Sequence, residues 1–365
     1  METPNIMHLP PYHQSIADKR WSAEQAWEWH NTRPWLVGCN FQPSNAVNQL
    51  EMWQAETFDE AAIDRELGWL AGLGMNTMRV FLHDLLWTQD AQGFLSRINR
   101  FLDISARHGI SPLLVLFDSC WHPFPRPGKQ REPEPGVHNS FWVQSPGREI
   151  LARPGAFETL EGYVTGVTGH FRDDPRIIGW DVWNEPDNES PWYMQRELGD
   201  AKPEIVFPLI ARAFDWVRSV QPIQPVTSGV WRFDAGGVCR EQPIARFMLE
   251  ASDILSFHIY LPPGQTADVV GHLRSYDRPL WCTEYLARTI GNTLEDTLPL
   301  FHRHKIGAFN WGGVTGKTQT LFPWDSWREP ILSDPDLWFH DLLRPDGTPF
   351  RESEAVLLRT LTGRS

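Results

Sequence analysis

The chain has little cysteine: Cys39, Cys120, Cys239 and Cys282 are the only four in 365 residues, and they lie far apart with no CxxC spacing. That pattern argues against a zinc knuckle and against a disulfide framework, leaving free and mostly buried thiols as the expectation. No run approaches the ~20 consecutive apolar residues of a membrane helix, so no membrane span is expected. Positive charge is also scarce, with 33 Lys and Arg against 46 Asp and Glu and a formal net charge of -13. Nucleic acid and anionic membrane both need a basic surface, so neither is an expected partner, whereas a neutral or basic small molecule is. The opening METPNIMHLPPYHQSIADKR holds no basic region followed by an apolar core and a small-residue cleavage site. The expected location is cytoplasmic as written, or periplasmic or secreted if a signal was removed before residue 1.

Tryptophan is what the chain has in surplus. Nineteen in 365 residues is several times ordinary usage. Trp69 and Trp216 fall on apolar helical faces and read as core. Trp53, Trp121, Trp142, Trp324 and Trp327 fall in segments that read as loops, where a flat ring can stack on the C–H face of a sugar while its N–H donates a hydrogen bond.

Short apolar, β-branched runs alternate with helix-length amphipathic segments, the pattern of parallel strands joined by crossover helices. The strands read as 36–41, 76–81, 113–117, 177–183, 226–230, 254–260, 280–284 and 308–311. The intervening helices read as 59–73, 97–108, 156–171, 204–220, 243–251, 266–275 and 294–304, with a last helix beginning near Asp336 or near Glu352. Gly74 and Gly109 sit where C-terminal caps belong. Eight such units predict an α/β fold of the closed (β/α)8 TIM barrel type. It is read as a single domain, with residues 1–33 as an N-terminal extension, 34–345 as the barrel and 346–365 as a C-terminal helix or tail. Residues beyond the ~250 of a minimal barrel concentrate in 42–58, 118–154, 186–203 and 312–335, which open at the C-terminal face where barrel enzymes keep their sites.

Strand 4 ends in Asn184-Glu185-Pro186 and strand 7 ends in Glu284-Tyr285. Two carboxylates from strands three apart face each other across the mouth of an eight-stranded ring, as needed to flank one glycosidic bond. A retaining hydrolase needs its carboxyl groups about 5–5.5 Å apart. Around them Arg79 ends strand 2, His258 and Tyr260 share a face of strand 6, and Trp311 closes strand 8. Arg79 and Tyr260 are suited to keep a glutamate ionised. Asn184 is placed to bond a sugar 2-hydroxyl, and Trp311 to form an aromatic floor.

On Arg79, Trp183-Asn184-Glu185-Pro186, His258-x-Tyr260, Thr283-Glu284-Tyr285 and Trp311, the chain resembles clan A of the glycoside hydrolases, most closely family 5, the cellulase-like family, across essentially the whole barrel. The resemblance implies Glu185 as acid/base and Glu284 as nucleophile, with no cofactor. The family usually presents a histidine just after strand 3, where this chain runs Asp118-Ser119-Cys120-Trp121-His122. Either His122 fills that role from a few residues on or Asp118 replaces it. The first loop, with Asn45, Asn48, Gln49, Glu51 and Trp53, and the last, Gly316-Lys317-Thr318-Gln319, resemble bacterial xylanase-like and cellulase-like sequences. Asn40, Trp53, Asp118, Trp121, His122, Lys317 and Trp324 are accordingly expected to contact substrate alongside Arg79, Asn184, His258, Tyr260 and Trp311.

Two rival readings use the same rim. A metal-dependent barrel enzyme would draw on His83, Asp84, Asp118, His122 and His138, but scattered loop histidines rarely converge on an ion. A carbohydrate-binding barrel protein would explain the tryptophans and leave two facing glutamates without purpose. Within the enzyme reading, the Pro-rich 124–135 segment, Phe141-Trp142 and the strand 8 loop would wall off the cleft. That favours exo action or trimming of short β-linked glucan, mannan or xylan oligosaccharides over endo cleavage, with transglycosylation on the same site differing only in which acceptor reaches the glycosyl-enzyme. Sugar identity and oligomeric state are not legible.

Overall fold

The computed structural model describes residues 19–364 apart from 194, 195, 197, 235, 236 and 239–241, so Cys239 lies outside the described residues. Eight barrel strands follow in chain order: β1 (Val37–Asn40), β2 (Thr77–Phe81), β3 (Ser111–Asp118), β4 (Gly179–Asn184), β5 (Val226–Thr227), β6 (Leu255–His258), β7 (Leu280–Glu284) and β8 (Gly307–Trp311). All neighbours pair in parallel from β5 through β1 to β8 and β6. An isolated parallel bridge between Val230 and Phe257 closes the ring between β5 and β6. The fold is therefore the predicted (β/α)8 barrel. Its strands are buried on both faces, since helices cover the outside and side chains fill the inside, and this is why they read as near-continuous apolar runs.

Register decides where the functional side chains emerge. Asn40 is level with both Arg79 and Trp311, Asp118 with Asn184, and His258 with Glu284. One rim thus carries all of them. The register between β6 and β7 shifts between Phe257 and His258. This irregularity leaves Thr283 as an extra residue on β7 and brings the imidazole opposite the Glu284 carboxylate. At the opposite end Leu36, Leu113, Ile178, Ile254, Trp281 and Phe309 plug the barrel. Helix Ala23–Asn31, capped by Ser22 and unanticipated within the N-terminal extension, lays Trp29 against Trp281 at 5.7 Å.

Helix stops fall where expected: Gly74 and Gly109 follow their helices with φ of 94° and 68°. The helix expected to start at Arg97 instead spans Asp84–Arg107, with a non-helical break at Asp90. The Asp90 carboxylate accepts from the Gly93 amide at 2.9 Å and so caps the second part. The final helix is Glu352–Thr362, the later of the two expected starts. No described helix is long and apolar enough to cross a membrane.

Candidate active site

A cavity of about 340 Å³ opens at the C-terminal face, with Glu185 and Glu284 in its floor and Trp121, Trp192, Trp231, Trp311 and Trp324 in its walls. The size and the mix of aromatic walls with few polar groups are those of a small-molecule site.

Arg79 organises the floor. Its guanidinium, wholly buried, donates to Asp181 Oδ2 at 2.9 Å, Asn40 Oδ1 at 2.9 Å, Asn184 Oδ1 at 2.7 Å and Glu284 Oε1 at 3.0 Å. A planar fork can serve four acceptors at once in a way that an ammonium cannot. Glu284 also accepts from the Tyr260 hydroxyl at 2.9 Å. Asn40 donates to the Thr283 carbonyl at 2.8 Å and fixes the end of β7. Asn184 donates to Asp118 Oδ1 at 2.9 Å, so its amide is held from both sides.

Glu185 stands directly after β4 with a left-handed φ of 45°. That sparsely populated conformation turns the side chain in among different partners. Oε1 lies 2.7 Å from His258 Nδ1, and Oε2 accepts from Asn188 at 2.6 Å and from the Cys120 thiol at 3.4 Å. Burial keeps His258 neutral by pulling its pKa down to about 4. Glu185 therefore has neutral donors where Glu284 has a guanidinium.

Both carboxyls are pushed up by burial, Glu284 to about 7, with the charge of Glu185 adding to the rise and the Arg79 charge and the Tyr260 hydrogen bond opposing it. Ligand atoms of Glu185, His258 and Glu284 lie within 4.8 Å of one another, the one such convergence of three or more His, Cys, Asp or Glu among the described residues. The set resembles three ligands of a divalent ion. Each carboxylate oxygen already faces a protein hydrogen-bonding group, and the Arg79 charge would oppose a cation, so the arrangement suits proton chemistry. The five residues of the metal reading do not converge on one another. His83 accepts from the Leu85 amide at a helix start, and His138 bonds the Phe322 carbonyl at 2.9 Å.

Other sequence expectations are placed away from the cavity. Trp53 is wholly buried, donating to the Phe81 carbonyl at 2.8 Å and lying 5.9 Å from Phe58 in a stacked pair, so it is core. Trp142 packs behind the floor against Phe81 and Trp311 and donates to Asp118 at 2.6 Å. Asp118, buried and raised to about 6 by that burial, supports Asn184 from behind. Neither alternative for the missing histidine lines the cavity: His122 sits among Phe124, Phe141 and Tyr193. Lys317 pairs with Glu51 at 3.0 Å and Glu132 at 3.4 Å, tying three loops together. Trp327 stacks between Trp121 at 5.4 Å and Trp192 at 6.1 Å and buttresses the wall.

Several lining residues were not anticipated as sugar contacts: Cys120, His138, Asn139, Asn188, Trp192, Trp231 and His340. Asn188 and Trp231 lie within a few residues of a strand end, a position that signals the rim. His340 belongs to an irregular tail far from any strand and carries no such signal.

No family profile matches the chain, and no curated protein sequence matches it. Solved structures do. GH5_18 from Streptomyces cattleya in complex with GlcNAc superposes with a TM-score of 0.61 at 15% identity, over 91% of this chain and 82% of that one. The exo-beta-1,4-mannosidase Op5Man5 from Opitutaceae bacterium strain TAV5 gives 0.58 at 20% identity, over 91% of this chain and 60% of that one. A beta-glucosidase called 1317 gives 0.58 at 15% identity, over 90% and 98%. The chain therefore shares the barrel fold of glycoside hydrolase family 5 structures.

Proposed function

We propose that the chain is a retaining β-glycosidase in which Glu284 attacks the anomeric carbon and Glu185 protonates the leaving oxygen. The observation that carries this is the unequal pair: two carboxyls with ligand atoms within 4.8 Å, one held by a guanidinium and a phenol, the other by neutral donors. Carboxylate oxygens no more than 4.8 Å apart support the close spacing of about 5–5.5 Å in retaining enzymes over the roughly 6.5–9.5 Å that leaves room for a water in inverting ones.

The proton goes where its loss is least stabilised. Burial raises Glu284 to about 7, yet a guanidinium and a phenol contact its carboxylate directly while only neutral groups face Glu185, so in this reading the shared proton of the coupled pair is assigned to Glu185. Attack by Glu284 Oε forms the glycosyl ester while the Glu185 proton passes to the departing oxygen. Once Glu284 is esterified its charge is gone, the Glu185 pKa falls, and Glu185 can take a proton from the water that hydrolyses the ester. Asn184, with its amide clamped between Arg79 and Asp118, is presented towards the sugar 2-hydroxyl, and Trp311 offers its face to the ring.

Walls from the β3 and β8 loops make the site a pocket, which supports removal of terminal residues from β-linked oligosaccharides rather than internal cleavage. Solved structures sharing the fold include an exo-beta-1,4-mannosidase, a beta-glucosidase and a GH5_18 variant in complex with Manb1-4GlcNAc, in keeping with that reading. Glu284→Ala should abolish hydrolysis of every aryl β-glycoside, with azide restoring it as an inverted glycosyl azide. Glu185→Ala should spare substrates with activated leaving groups far more than unactivated ones. Equal losses on both substrate types would overturn the assignment, as would product of inverted configuration from the wild type by NMR.

A further inference from the structure

Beside Glu284 the cavity wall carries polar atoms that the protein itself leaves unmatched. Asn139 and His340 line the cavity and are 1% and 0% exposed. Yet both amide atoms of Asn139 and Nε2 of His340 have no hydrogen-bond partner among the described residues. Buried polar groups are almost always paired, so three unmatched atoms packed into a cavity wall leave hydrogen-bonding capacity for a group that enters it.

Their chemistry is fixed by their surroundings. His340 Nδ1 lies against the Leu286 carbonyl oxygen, which can only accept, so Nδ1 carries the hydrogen. Burial holds the imidazole neutral, and Nε2 is a bare acceptor. His138, also on the wall, repeats the arrangement: Nδ1 donates to the Phe322 carbonyl at 2.9 Å, and its ring centre is 5.3 Å from that of His340. Asn139 adds a donor and an acceptor. Its backbone, at a φ of 47°, is anchored by donation to the Thr318 carbonyl at 2.8 Å.

Position assigns the wall to one side of the substrate. The His340 ring centre is 5.7 Å from that of Tyr260, which bonds Glu284, and Asn139 flanks Trp311. Against Glu185 the lining residues are instead Cys120 and Asn188. In a double displacement the sugar that stays on the enzyme meets Glu284 and the leaving group meets Glu185, so this wall faces the retained sugar. Among the described residues neither Lys nor Arg lines the cavity, whose two carboxyls disfavour an acidic sugar.

We infer that Asn139 and His340, with His138 beside them, form a hydroxyl-reading subsite for a terminal, uncharged sugar ring held against Trp311. This rests on the glycosidase reading above. The test uses neutral aryl β-glycosides, their monodeoxy analogues and a matched uronide, with wild type, Asn139→Gly and His340→Gln. Glycine keeps the left-handed backbone and removes the amide. Asn139→Asp, which keeps shape but cannot donate, serves where the glycine variant fails to fold. Each variant should lower kcat/KM on the parent glycoside at least about tenfold, while one deoxy analogue per variant, already poor with wild type, should lose no more. The uronide should not be cleaved. Equal losses on the parent and every deoxy analogue, or uronide cleavage as fast as the neutral sugar, overturns the subsite and leaves the glycosidase reading standing. A wild type that cleaves no neutral glycoside overturns both.

Discussion

At the scale of single residues, the proposed mechanism turns on two glutamates with different neighbours. Arg79 and Tyr260 favour the charged form of Glu284 against the burial that raises it, whereas Asn188, Cys120 and neutral His258 put no formal charge beside Glu185. The pH dependence follows with a definite sign. Burial raises both carboxyls, Glu284 to about 7, so kcat/KM should fall on the alkaline side as the pair loses its last proton and the acid is gone. On the acid side the rate should fall as the nucleophile is protonated. In Glu284→Gln the neighbouring charge is absent, and NMR of labelled glutamate should find Glu185 titrating lower than in wild type. An upward shift would contradict the coupling. Much of this floor was legible, because Arg79, Asn184, Glu185, Glu284 and Trp311 each stand at or just beyond a strand end, where sequence position fixes direction. Trp53, His122 and Lys317 misled because a loop residue's neighbours depend on contacts far away in sequence.

At the scale of elements, strands and helices were read to within a few residues where an apolar period ran uninterrupted. The misses have local causes. Asp90 breaks one long helix into two capped parts, hiding its first turns. β5 shrinks to Val226–Thr227 because Val230 bridges only singly to Phe257 at the closing seam. The last helix depends on a pair that sequence could not propose: Arg288, following β7, meets Glu354 through two contacts of 2.7 Å, with both side chains almost wholly buried. Arg288 also donates to the Trp338 and Asp341 carbonyls, the segment that carries His340. Removing one partner of such a pair strands a buried charge, at a cost of about 3–5 kcal/mol. Glu354→Ala should lower stability by that order in urea unfolding and raise KM by loosening the His340 wall. A stability change under about 1 kcal/mol would show that the pair does not hold the helix in place.

At the scale of the whole molecule, a barrel plugged at one end by Trp281 and Trp29 and open at the other concentrates its chemistry in one mouth. The tryptophan surplus divides between the two uses: Trp53 and Trp142 are packing, whereas Trp121, Trp192, Trp231, Trp311 and Trp324 wall the cavity. Because the walls make a pocket, reducing sugar should appear from β-glucan, mannan or xylan with little early loss of viscosity, if these polymers are cleaved at all. Rapid viscosity loss at low sugar yield would mean an open cleft. The most direct test of the central claim is capture of the covalent intermediate. After treatment with 2-deoxy-2-fluoro glycosyl fluorides of the glucose and mannose series, mass spectrometry of a tryptic digest should find one glycosyl adduct on the 275–288 peptide, at Glu284. An adduct at Glu185, or inverted product from an enzyme that turns over without ever being labelled, would contradict the account.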